Sequence, residues 1–370
     1  MKILYIVSTL KGTGPINQLY GIIHNLDRNK FTPYIITLSN EPQNSKKKLF
    51  EDDHVEIKTL GLSRIAFILW GKKILKKFIT ENSPDLIHTS GIRADTVMST
   101  LNINIPLCST LRNYVFEDYI PLFGRIRGTL MAIWHETAIK KMENPICCSK
   151  TLREKYSKHL NKEFFVIQNG VDTQQYCVKN QKDRLCIRKR LKLPLDKKII
   201  IVAGDIIERK DPVTIINAIE QIKEKNKFQL IFIGDGMLKE KLQKHESPYI
   251  KFLGHKNNVS EYFQAADFFV SASKSEGLPN TVLEAGACGM PMILSGIPQH
   301  REVFEKDISG ISFFNVQNAA MLSQAICIYL ENCKSYSRFD IGTYIKERFD
   351  SRKMSNKYQN FYKKCIGDQS

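Results

Sequence analysis

The sequence predicts an α/β protein with parallel sheets. Short apolar runs typical of buried strands alternate along the whole chain with segments of helical periodicity. Glycine-containing turns follow several of these runs, as they do where a strand leads into a helix. The chain has 370 residues, of which 42% are hydrophobic and 25% are charged, so we expect a soluble globular protein of two domains.

The first half opens with a strand at Ile3 to Val7, followed by a turn and a helix of regular apolar spacing. The turn contains Gly12 and Gly14 and lies where open α/β sheets bind ligands, beyond the carboxyl ends of the strands. It lacks the third glycine of a dinucleotide fingerprint, which argues against a bound NAD. Further strands are predicted at Tyr34 to Leu38, Val55 to Leu60, Asp85 to His88, Ile105 to Thr110, Pro145 to Cys148 and Phe164 to Gln168.

Two segments of the first half predict long basic helices. Ile65 to Ile79 begins with apolar and aromatic residues and continues with four lysines. Leu122 to Met142 carries two arginines and two lysines, and follows an aromatic and acidic loop at Tyr114 to Tyr119. Such a helix either packs its apolar stripe and solvates its lysines, or lies on an anionic membrane. No apolar run approaches the roughly 20 residues of a spanning helix, and the N-terminal run is too short for a signal peptide, so any membrane contact is expected to be peripheral.

The boundary between domains is predicted near the turn Asn169 to Asp172, because the polar and basic residues 173–196 follow it. We therefore predict an N-terminal domain at 1–168, a C-terminal domain at 169–346, and a helix within 347–370 that returns to the first domain. Strands of the second domain are predicted at Ile199 to Ala203, Gln229 to Ile233, Tyr249 to Leu253, Asp267 to Ser271 and Met292 to Leu294.

Three turns of the second domain follow strands that would lie side by side. They begin at Gly204, Gly234 and Gly254, and the first continues to Arg209 and Lys210. Because the carboxyl ends of parallel strands meet at one edge of a sheet, we expect these turns to lie together. The two cations would then form a clamp for a diphosphate.

The stretch from Ser273 to Ala285 is the strongest candidate site. Pro279 suits the first position of a helix, so the helix is predicted to begin near Leu278. The backbone N–H groups of Gly277, Leu278 and Asn280 would then point out of its N-terminus, where anions bind. Glu276 and Glu284 flank this end and would accept hydrogen bonds from ligand hydroxyls. The alternative is that the two glutamates only complement the helix dipole or pair with surface lysines.

The net charge of +17 is compatible with nucleic acid, an anionic membrane, a phosphorylated substrate or a merely lysine-rich composition. No nucleic-acid-binding motif is recognisable, and aromatic residues are not interleaved with the basic clusters, so we expect no nucleic-acid partner. The 9 cysteines show no metal-binding spacing and are expected to be buried, reduced thiols of a cytoplasmic protein.

Together these motifs resemble the retaining glycosyltransferases of family 4, including those that build bacterial surface polysaccharides. The segment from Glu276 to Glu284 resembles the family's motif of two glutamates separated by seven residues. The turn from Gly204 to Lys210 resembles its phosphate-binding loop, and the turn at Asn169 to Asp172 resembles its hinge. Gly234-Asp235-Gly236, Phe252-Leu253-Gly254-His255 with Val259, Gly12-Thr13-Gly14-Pro15 and Asp85-Leu86-Ile87-His88 also fit the family.

The resemblance implies the GT-B fold, in which two Rossmann-like domains face each other across a cleft. It also implies transfer of a hexose or N-acetylhexosamine from a nucleotide diphosphate sugar, with UDP as the expected nucleotide, to a glycan or lipid-linked acceptor. The configuration at the transferred sugar would be retained, and neither a metal nor another cofactor is expected. The reaction would take place in the cytoplasm, at the inner face of the membrane.

The resemblance also assigns roles to residues. Glu276 would contact the donor sugar, Glu284 the ribose, and Lys210 the diphosphate leaving group. The remaining donor-binding positions are Gly12, Gly14, Gly204, Gly234, Gly254, His255, Lys256, Gly277, Leu278, Pro279, Asn280 and Thr281.

Two positions depart from the family pattern. Asp205 stands where an arginine usually follows the loop glycine, and Arg209 is our candidate for the missing cation. Arg112 and Asn113 stand where many members have a histidine, and we expect them to contact the sugar or the acceptor. A non-catalytic nucleotide-sugar-binding protein is the alternative to an enzyme.

Overall fold

Residues 1–332 and 335–367 are described by a computed structural model, in which the chain forms two units. One unit comprises Met1–Gly170 together with the chain from Ser351 onward, and the other comprises Val171–Asp350. Each unit is built on a parallel sheet, as the alternation of strands and helices predicts.

In the first unit, seven strands of the described chain form a sheet in the order β3-β2-β1-β4-β5-β6-β7, with every neighbouring pair parallel. Helices cover both faces of this sheet, and apolar side chains from both sides of β1 fill two separate cores. Its elements up to residue 170 are β1 (Lys2–Val7), α1 (Gly14–His24), β2 (Thr32–Thr37), α2 (Lys47–Asp52), β3 (Glu56–Thr59), α3 (Arg64–Asn82), β4 (Leu86–Ser90), α4 (Ile92–Met98), β5 (Leu107–Leu111), α5 (Val115–Phe123), α6 (Arg125–Lys141), β6 (Asn144–Cys147), α7 (Lys150–Leu160) and β7 (Phe165–Val166).

In the second unit, six strands form a sheet in the order β10-β9-β8-β11-β12-β13, again all parallel within the described residues. Its elements are α8 (Gln181–Arg190), β8 (Lys198–Ala203), a 3₁₀ turn (Glu208–Lys210), α9 (Pro212–Glu220), a 3₁₀ turn (Lys225–Lys227), β9 (Phe228–Ile233), α10 (Lys239–Gln243), β10 (Ile250–Phe252), α11 (Val259–Ala265), β11 (Phe268–Ser271), α12 (Asn280–Ala287), β12 (Met292–Ser295), α13 (Pro298–Val303), β13 (Ile311–Phe314), α14 (Ala319–Asn332) and α15 (Arg338–Phe349).

The last helix, α16 (Ser351–Cys365), packs against α1 of the first unit. Its Tyr358 and Tyr362 are fully buried in the core that also contains Tyr5 of β1. The Ser355 hydroxyl donates a hydrogen bond to the Ile22 carbonyl at 2.8 Å. The chain thus leaves the first unit after Gly170 and returns to it at Ser351.

The structure corrects three predictions about local structure. Tyr114 to Tyr119 is not a loop but belongs largely to α5, whose first turn carries Glu117 and Asp118, where acidic side chains complement the helix dipole. The long helix predicted from Leu122 is broken at Gly124, which has φ +81°. The polar residues 173–196 are not a plain connection, because they contain α8.

Helix α8 has no apolar stripe in its sequence, and an ion pair anchors it instead. Its Arg188 is buried, and Nη2 donates to Asp267 Oδ2 at 2.6 Å. The cysteines also differ from expectation: Cys147 and Cys148 are buried, but Cys186 and Cys327 are exposed. In the part of the chain that is described, no helix is both long and apolar enough to cross a membrane.

Candidate active site

The loop between β11 and α12 is the centre of the candidate site in the second unit. Helix α12 begins at Asn280, two residues later than predicted, and Pro279 is its N-cap with φ −75° and ψ 102°. The helix begins later than predicted because the backbone of Pro279 is extended and not helical. The Pro279 carbonyl accepts a hydrogen bond from Val282 N at 3.1 Å. Glu276 therefore lies on the loop, and Glu284 lies within the helix.

Two cations from the β8–α9 loop hold the carboxylate of Glu276. Lys210 Nζ donates to Oε1 at 2.5 Å, and Arg209 Nη1 donates to Oε2 at 3.0 Å. The proximity of both cations to this loop, predicted from the order of the strands, is confirmed. Backbone groups join the same two loops, because Lys274 N donates to the Arg209 carbonyl at 2.8 Å and Arg209 Nη1 donates to the Ser275 carbonyl at 2.7 Å.

The Glu276 side chain is ionised at neutral pH although it is buried. Burial alone would raise its pKa, but Lys210 and Arg209, with a hydrogen bond from Ser273, bring the pKa down to about 2. Ser273 Oγ donates to Oε1 at 2.7 Å. Glu276 is therefore a fixed acceptor and not a proton donor.

Sequence reasoning missed the polar residues behind Glu276. Ser295 Oγ on β12 donates to the Ser273 carbonyl at 2.6 Å, which ties the loop to the neighbouring strand. His300 is fully buried, and its Nδ1 donates to the Ser295 carbonyl at 2.8 Å. Burial lowers the pKa of His300 to about 4, so its ring is neutral. The sequence offers only one signal for this support, a serine at the end of the apolar strand β12 and another two residues beyond the end of the apolar strand β11.

The β8–α9 loop, which begins at Gly204, meets two further turns at the same edge of the sheet, those that begin at Gly234 and Gly254. Gly234 N donates to the Gly254 carbonyl at 3.0 Å, and Gly204 N donates to the Ile233 carbonyl at 3.0 Å. A side chain at position 234 is impossible without rearrangement, because its Cβ would lie 2.0 Å from the Gly204 carbonyl oxygen. These glycines thus allow the turns to pack backbone against backbone.

The remaining donor-side candidates lie around these turns. Thr281 of α12 comes close to Gly204, since a Cβ built there would lie 3.9 Å from Thr281 Cγ2 and 3.9 Å from Lys210 Nζ. His255 N donates to Asp235 Oδ2 at 3.1 Å, and Lys239 Nζ donates to Asp235 Oδ1 at 2.6 Å. Asp205 and His255 are exposed, whereas Gly277, Leu278 and Pro279 are buried.

The first unit has its own cavity at the carboxyl ends of β1, β4 and β5, with a volume of about 320 Å³. Arg112 and Asn113 line it, together with residues of the turn after β1 that contains Gly12 and Gly14. Gly12 N donates to the Asn44 carbonyl at 3.0 Å, and Gly14 begins α1. Arg112 Nη1 donates to Asn169 Oδ1 at 2.6 Å, which fixes the guanidinium at the cavity wall.

Two buried hydrogen-bond chains, neither of them predicted, also reach this cavity. His135 Nε2 lies 2.8 Å from Asp95 Oδ2, and His135 Nδ1 lies 2.7 Å from the Tyr119 hydroxyl. Deeper in the wall, the two ring nitrogens of His88 contact the hydroxyls of Thr110 at 2.8 Å and Tyr362 at 2.7 Å. Burial lowers the pKa of His88 to about 3, so this imidazole is neutral too.

Two all-parallel Rossmann-like units, the second with paired cations at the carboxyl edge of its sheet, have the architecture of GT-B glycosyltransferases. Comparison with known proteins agrees. Residues 14–175 match the family model "Glycosyltransferase Family 4", and residues 183–346 match "Glycosyl transferases group 1". The chain belongs to this family of glycosyltransferases.

Proteins of similar sequence or fold match from three quarters to almost all of the chain. It is 27% identical to the O-antigen biosynthesis glycosyltransferase WclY of Escherichia coli, over 98% of each protein. It is 28% identical to the putative teichuronic acid biosynthesis glycosyltransferase TuaC of Bacillus subtilis, over 76% of this chain and 72% of that protein. The fold resembles that of Anabaena Alr3699/HepE, solved in complex with UDP and glucose, with a TM-score of 0.81, 18% identity and coverage of 98% and 99% of the two chains.

Proposed function

We propose that this glycosyltransferase moves a hexose or N-acetylhexosamine from a UDP-sugar to a hydroxyl of a glycan or lipid-linked acceptor in surface-polysaccharide synthesis. We propose further that the configuration is retained and that no metal is needed. The observation that carries the proposal is the pair of cations, Lys210 and Arg209, on the ionised Glu276. The similarity to WclY and TuaC, and the UDP bound by HepE, support the choice of pathway and nucleotide.

The chemistry follows from where charge develops. When the bond from the anomeric carbon to the diphosphate oxygen breaks, negative charge builds up on that oxygen. Lys210 and Arg209 would stabilise this charge because both are already positioned, with side chains that are only 20% and 16% exposed. Glu276, which is ionised, would hold the two cations and accept a hydrogen bond from a hydroxyl of the sugar.

The other residues would bind the rest of the donor and the acceptor. Glu284 on α12 would accept hydrogen bonds from the ribose hydroxyls, and the close-packed glycine turns would let the diphosphate and base approach the backbone. Lys256 and His255 would lie beside the base. In the first unit, the cavity lined by Arg112 and Asn113 would receive the acceptor sugar.

Release of nucleoside diphosphate from UDP-, GDP- and ADP-sugars, with a glycan and a lipid-linked acceptor, tests the proposal. We expect release from a UDP-sugar, unchanged by a metal chelator, and a product whose anomeric configuration by NMR equals that of the donor. Failure to release nucleoside diphosphate from any donor, with binding retained, would instead support a non-catalytic nucleotide-sugar-binding protein. An inverted product would refute retention alone.

A further inference from the structure

The carboxylate of Asp95 on α4 begins a hydrogen-bond chain that leads to the cavity of the first unit. Its Oδ1 accepts from the Thr89 hydroxyl at 2.5 Å and from the Ser109 hydroxyl at 2.8 Å. Its Oδ2 lies 2.8 Å from His135 Nε2, and the Tyr119 hydroxyl lies 2.7 Å from His135 Nδ1. Asp95 and His135 are buried, whereas Tyr119 is partly exposed and lines the cavity. The chain therefore connects a buried charge with the cavity wall.

The packing of α5 against α6 holds the two rings of this chain in place. The rings of Tyr119 and His135 are nearly parallel, with 12° between their planes and 5.9 Å between their centroids. A Cβ at Gly128 of α6 would lie 2.5 Å from the Tyr119 carbonyl oxygen, so only glycine lets the two helices approach this closely. The Tyr119 hydroxyl is thus fixed at one place in the cavity wall.

The carboxylate sets the direction of every hydrogen bond in the chain. The two hydroxyl donors on Oδ1 favour the ionised form of Asp95, which can only accept. His135 therefore carries its proton on Nε2 and donates it to Asp95, and a neutral ring then has Nδ1 bare as an acceptor. The Tyr119 hydroxyl donates its single proton to Nδ1. Burial raises the pKa of Tyr119, so the phenol keeps this proton at neutral pH.

The Tyr119 oxygen consequently has lone pairs to offer a ligand but no proton. Among the described residues, His135 is the only hydrogen-bond partner of this hydroxyl. A ligand group beside it must be a donor, which a hydroxyl is and an ionised phosphate or carboxylate is not. Arg112 and Lys11 line the same cavity with side chains that only donate. A sugar, whose hydroxyls both donate and accept, suits both kinds of group.

We propose that Tyr119 selects the acceptor sugar by accepting a hydrogen bond from one of its hydroxyls, and that Asp95 and His135 are positioning residues that fix this direction. The inference rests on the proposed function, in which this cavity receives the acceptor. It adds the group that recognises the acceptor and the chemistry of the recognised atom. A sugar with a methyl ether, a fluorine or a hydrogen at that position loses the hydrogen bond.

One substitution reverses the chain without emptying it. In Asp95→Asn, the amide oxygen still accepts from Thr89 and Ser109, while the amide nitrogen faces His135 Nε2 and donates to it. His135 then carries its proton on Nδ1 and donates it to Tyr119, whose own proton turns to the cavity. Tyr119 thereby changes from an acceptor to a donor. A second variant, Tyr119→Phe, removes the oxygen and keeps the ring.

NMR of the full chain with isotope-labelled histidine rings reports the direction of the chain without any substrate. We expect His135 to be protonated on Nε2 alone in the unaltered protein and on Nδ1 alone in Asp95→Asn. His135→Gln identifies its signals among those of the 8 histidines. Asp53→Asn is the matched control, because it removes the carboxylate 2.6 Å from His24 Nδ1 in the same unit and should leave the His135 signals unchanged.

Binding of methyl glycosides of glucose, galactose and N-acetylglucosamine, followed on the same signals, tests the ligand. We expect at least one to bind, and fluorine in place of one of its hydroxyls to weaken binding about fivefold to tenfold, because fluorine cannot donate. This loss should vanish in Tyr119→Phe and vanish or reverse in Asp95→Asn. A residue that only stabilised the fold would weaken both glycosides alike. Tyr114→Phe, at a tyrosine of the same segment outside the cavity lining, should keep the full loss.

The proposal is overturned if His135 of the unaltered protein carries a proton on Nδ1, or if no glycoside changes its signals. It is also overturned if no fluorine substitution weakens binding, or if the loss persists in Tyr119→Phe. That variant decides alone if Asp95→Asn does not fold, since it leaves the buried carboxylate and its partners in place. Affinity for UDP-sugar, by isothermal titration, should be equal in all folded variants. A protein that binds glycosides in this way but releases no nucleoside diphosphate would refute the proposed reaction and leave the sugar site standing.

Discussion

The carboxyl edges of the two sheets differ in the charge that their buried groups hold. In the second unit, Lys210 and Arg209 converge on Glu276, so permanent charges of both signs lie within 3.0 Å of one another. In the first unit, the buried chain through His88 consists of a neutral imidazole and hydroxyl groups. The first edge also has a buried carboxylate, that of Asp95, but its partners are the His135 imidazole and two hydroxyl groups. One topology thus supports an edge where two cations meet a carboxylate and another where an imidazole and hydroxyls do.

Each edge depends on a buried imidazole for support. His300 fixes the end of β12 behind Glu276, and His88 joins β4 to β5 and to α16. Burial lowers the pKa of both rings, so neither adds a charge at neutral pH. Each edge also has a buried carboxylate, Glu276 or Asp95, so the electrostatic difference comes from the two cations that contact Glu276.

The largest effect should come from removing Lys210, one of the two cations at the carboxyl edge of the second unit's sheet. We expect Lys210→Ala to lower kcat/KM by about a hundredfold to a thousandfold, because charge on the departing diphosphate oxygen loses a fixed partner. Release of nucleoside diphosphate measures the loss. Lys241→Ala, on the exposed side of α10, is the matched control and should keep full activity. Equal activity of both variants would mean that the charged edge does not serve catalysis.

The next effect concerns stability and its dependence on pH. Glu276→Gln should destabilise the second unit by about 3 kcal/mol at pH 7, because it leaves Lys210 and Arg209 without their anionic partner. The folded pKa of about 2 lies below the ordinary value of 4.5, so the stabilisation is complete above pH 4.5 and is lost as the pH falls toward 2.

Thermal unfolding of Glu276→Gln and of the unaltered protein, followed from pH 7 to pH 3, measures this dependence. The difference between their unfolding temperatures should shrink below pH 4.5. Glu246→Gln, at a half-exposed position with a Lys251 contact of 3.8 Å, is the control and should show almost no difference at any pH. A constant difference across the whole range would show that the lowered pKa does not stabilise the fold.

A smaller effect, on donor binding, should distinguish the role of Arg209 from that of Lys210. Arg209→Ala should weaken donor binding about tenfold, since one of two charged hydrogen bonds to the diphosphate is lost. Arg209→Lys should recover part of the affinity, because the charge returns without the planar fork of the guanidinium. Isothermal titration with UDP-sugar gives the dissociation constants. Unchanged affinity in Arg209→Ala would mean that this arginine does not replace the loop arginine missing at Asp205.

The fold could be predicted wherever apolar periodicity marks an element. The first strand, predicted at Ile3 to Val7 and observed at Lys2–Val7, is an example. β13 (Ile311–Phe314) was missed because Ser312 interrupts its apolar run, and as the last strand of the sheet it buries only Phe314 fully. α8 was missed because the buried contact of Arg188 with Asp267, and not an apolar stripe, holds it in place.

The candidate site could be predicted only in part. Strand order and glycine turns indicated that Lys210 and Arg209 would lie beside Glu276, because parallel strands bring successive turns to one edge. The support from Ser295 and His300 could not be predicted, since it depends on contacts across strands that are distant in sequence. The catalytic and binding roles of all these residues stay predictions.

The smallest effect should come from Asn113, at the carboxyl edge of the first unit's sheet. It tests most directly whether this edge binds the acceptor while the edge of the second unit binds the donor. Asn113→Ala should raise the KM for the acceptor severalfold by removing one hydrogen bond to a sugar hydroxyl, an interaction worth roughly 1 kcal/mol. The dissociation constant of the UDP-sugar, measured without acceptor, should not change. Arg112→Ala is a harsher version, because it also frees Asn169 from a 2.6 Å contact.

The acceptor KM and the dissociation constant of the UDP-sugar together decide whether the first unit binds the acceptor and the second unit binds the donor. Lys210→Ala should impair donor binding or turnover at every acceptor concentration, whereas a high acceptor concentration should restore the rate of Asn113→Ala. Asn29→Ala, at an exposed position of the first unit, should change neither value. If Asn113→Ala instead weakens donor binding and leaves the acceptor KM unchanged, the edge of the first unit binds part of the donor, and the division of the substrates between the two edges fails.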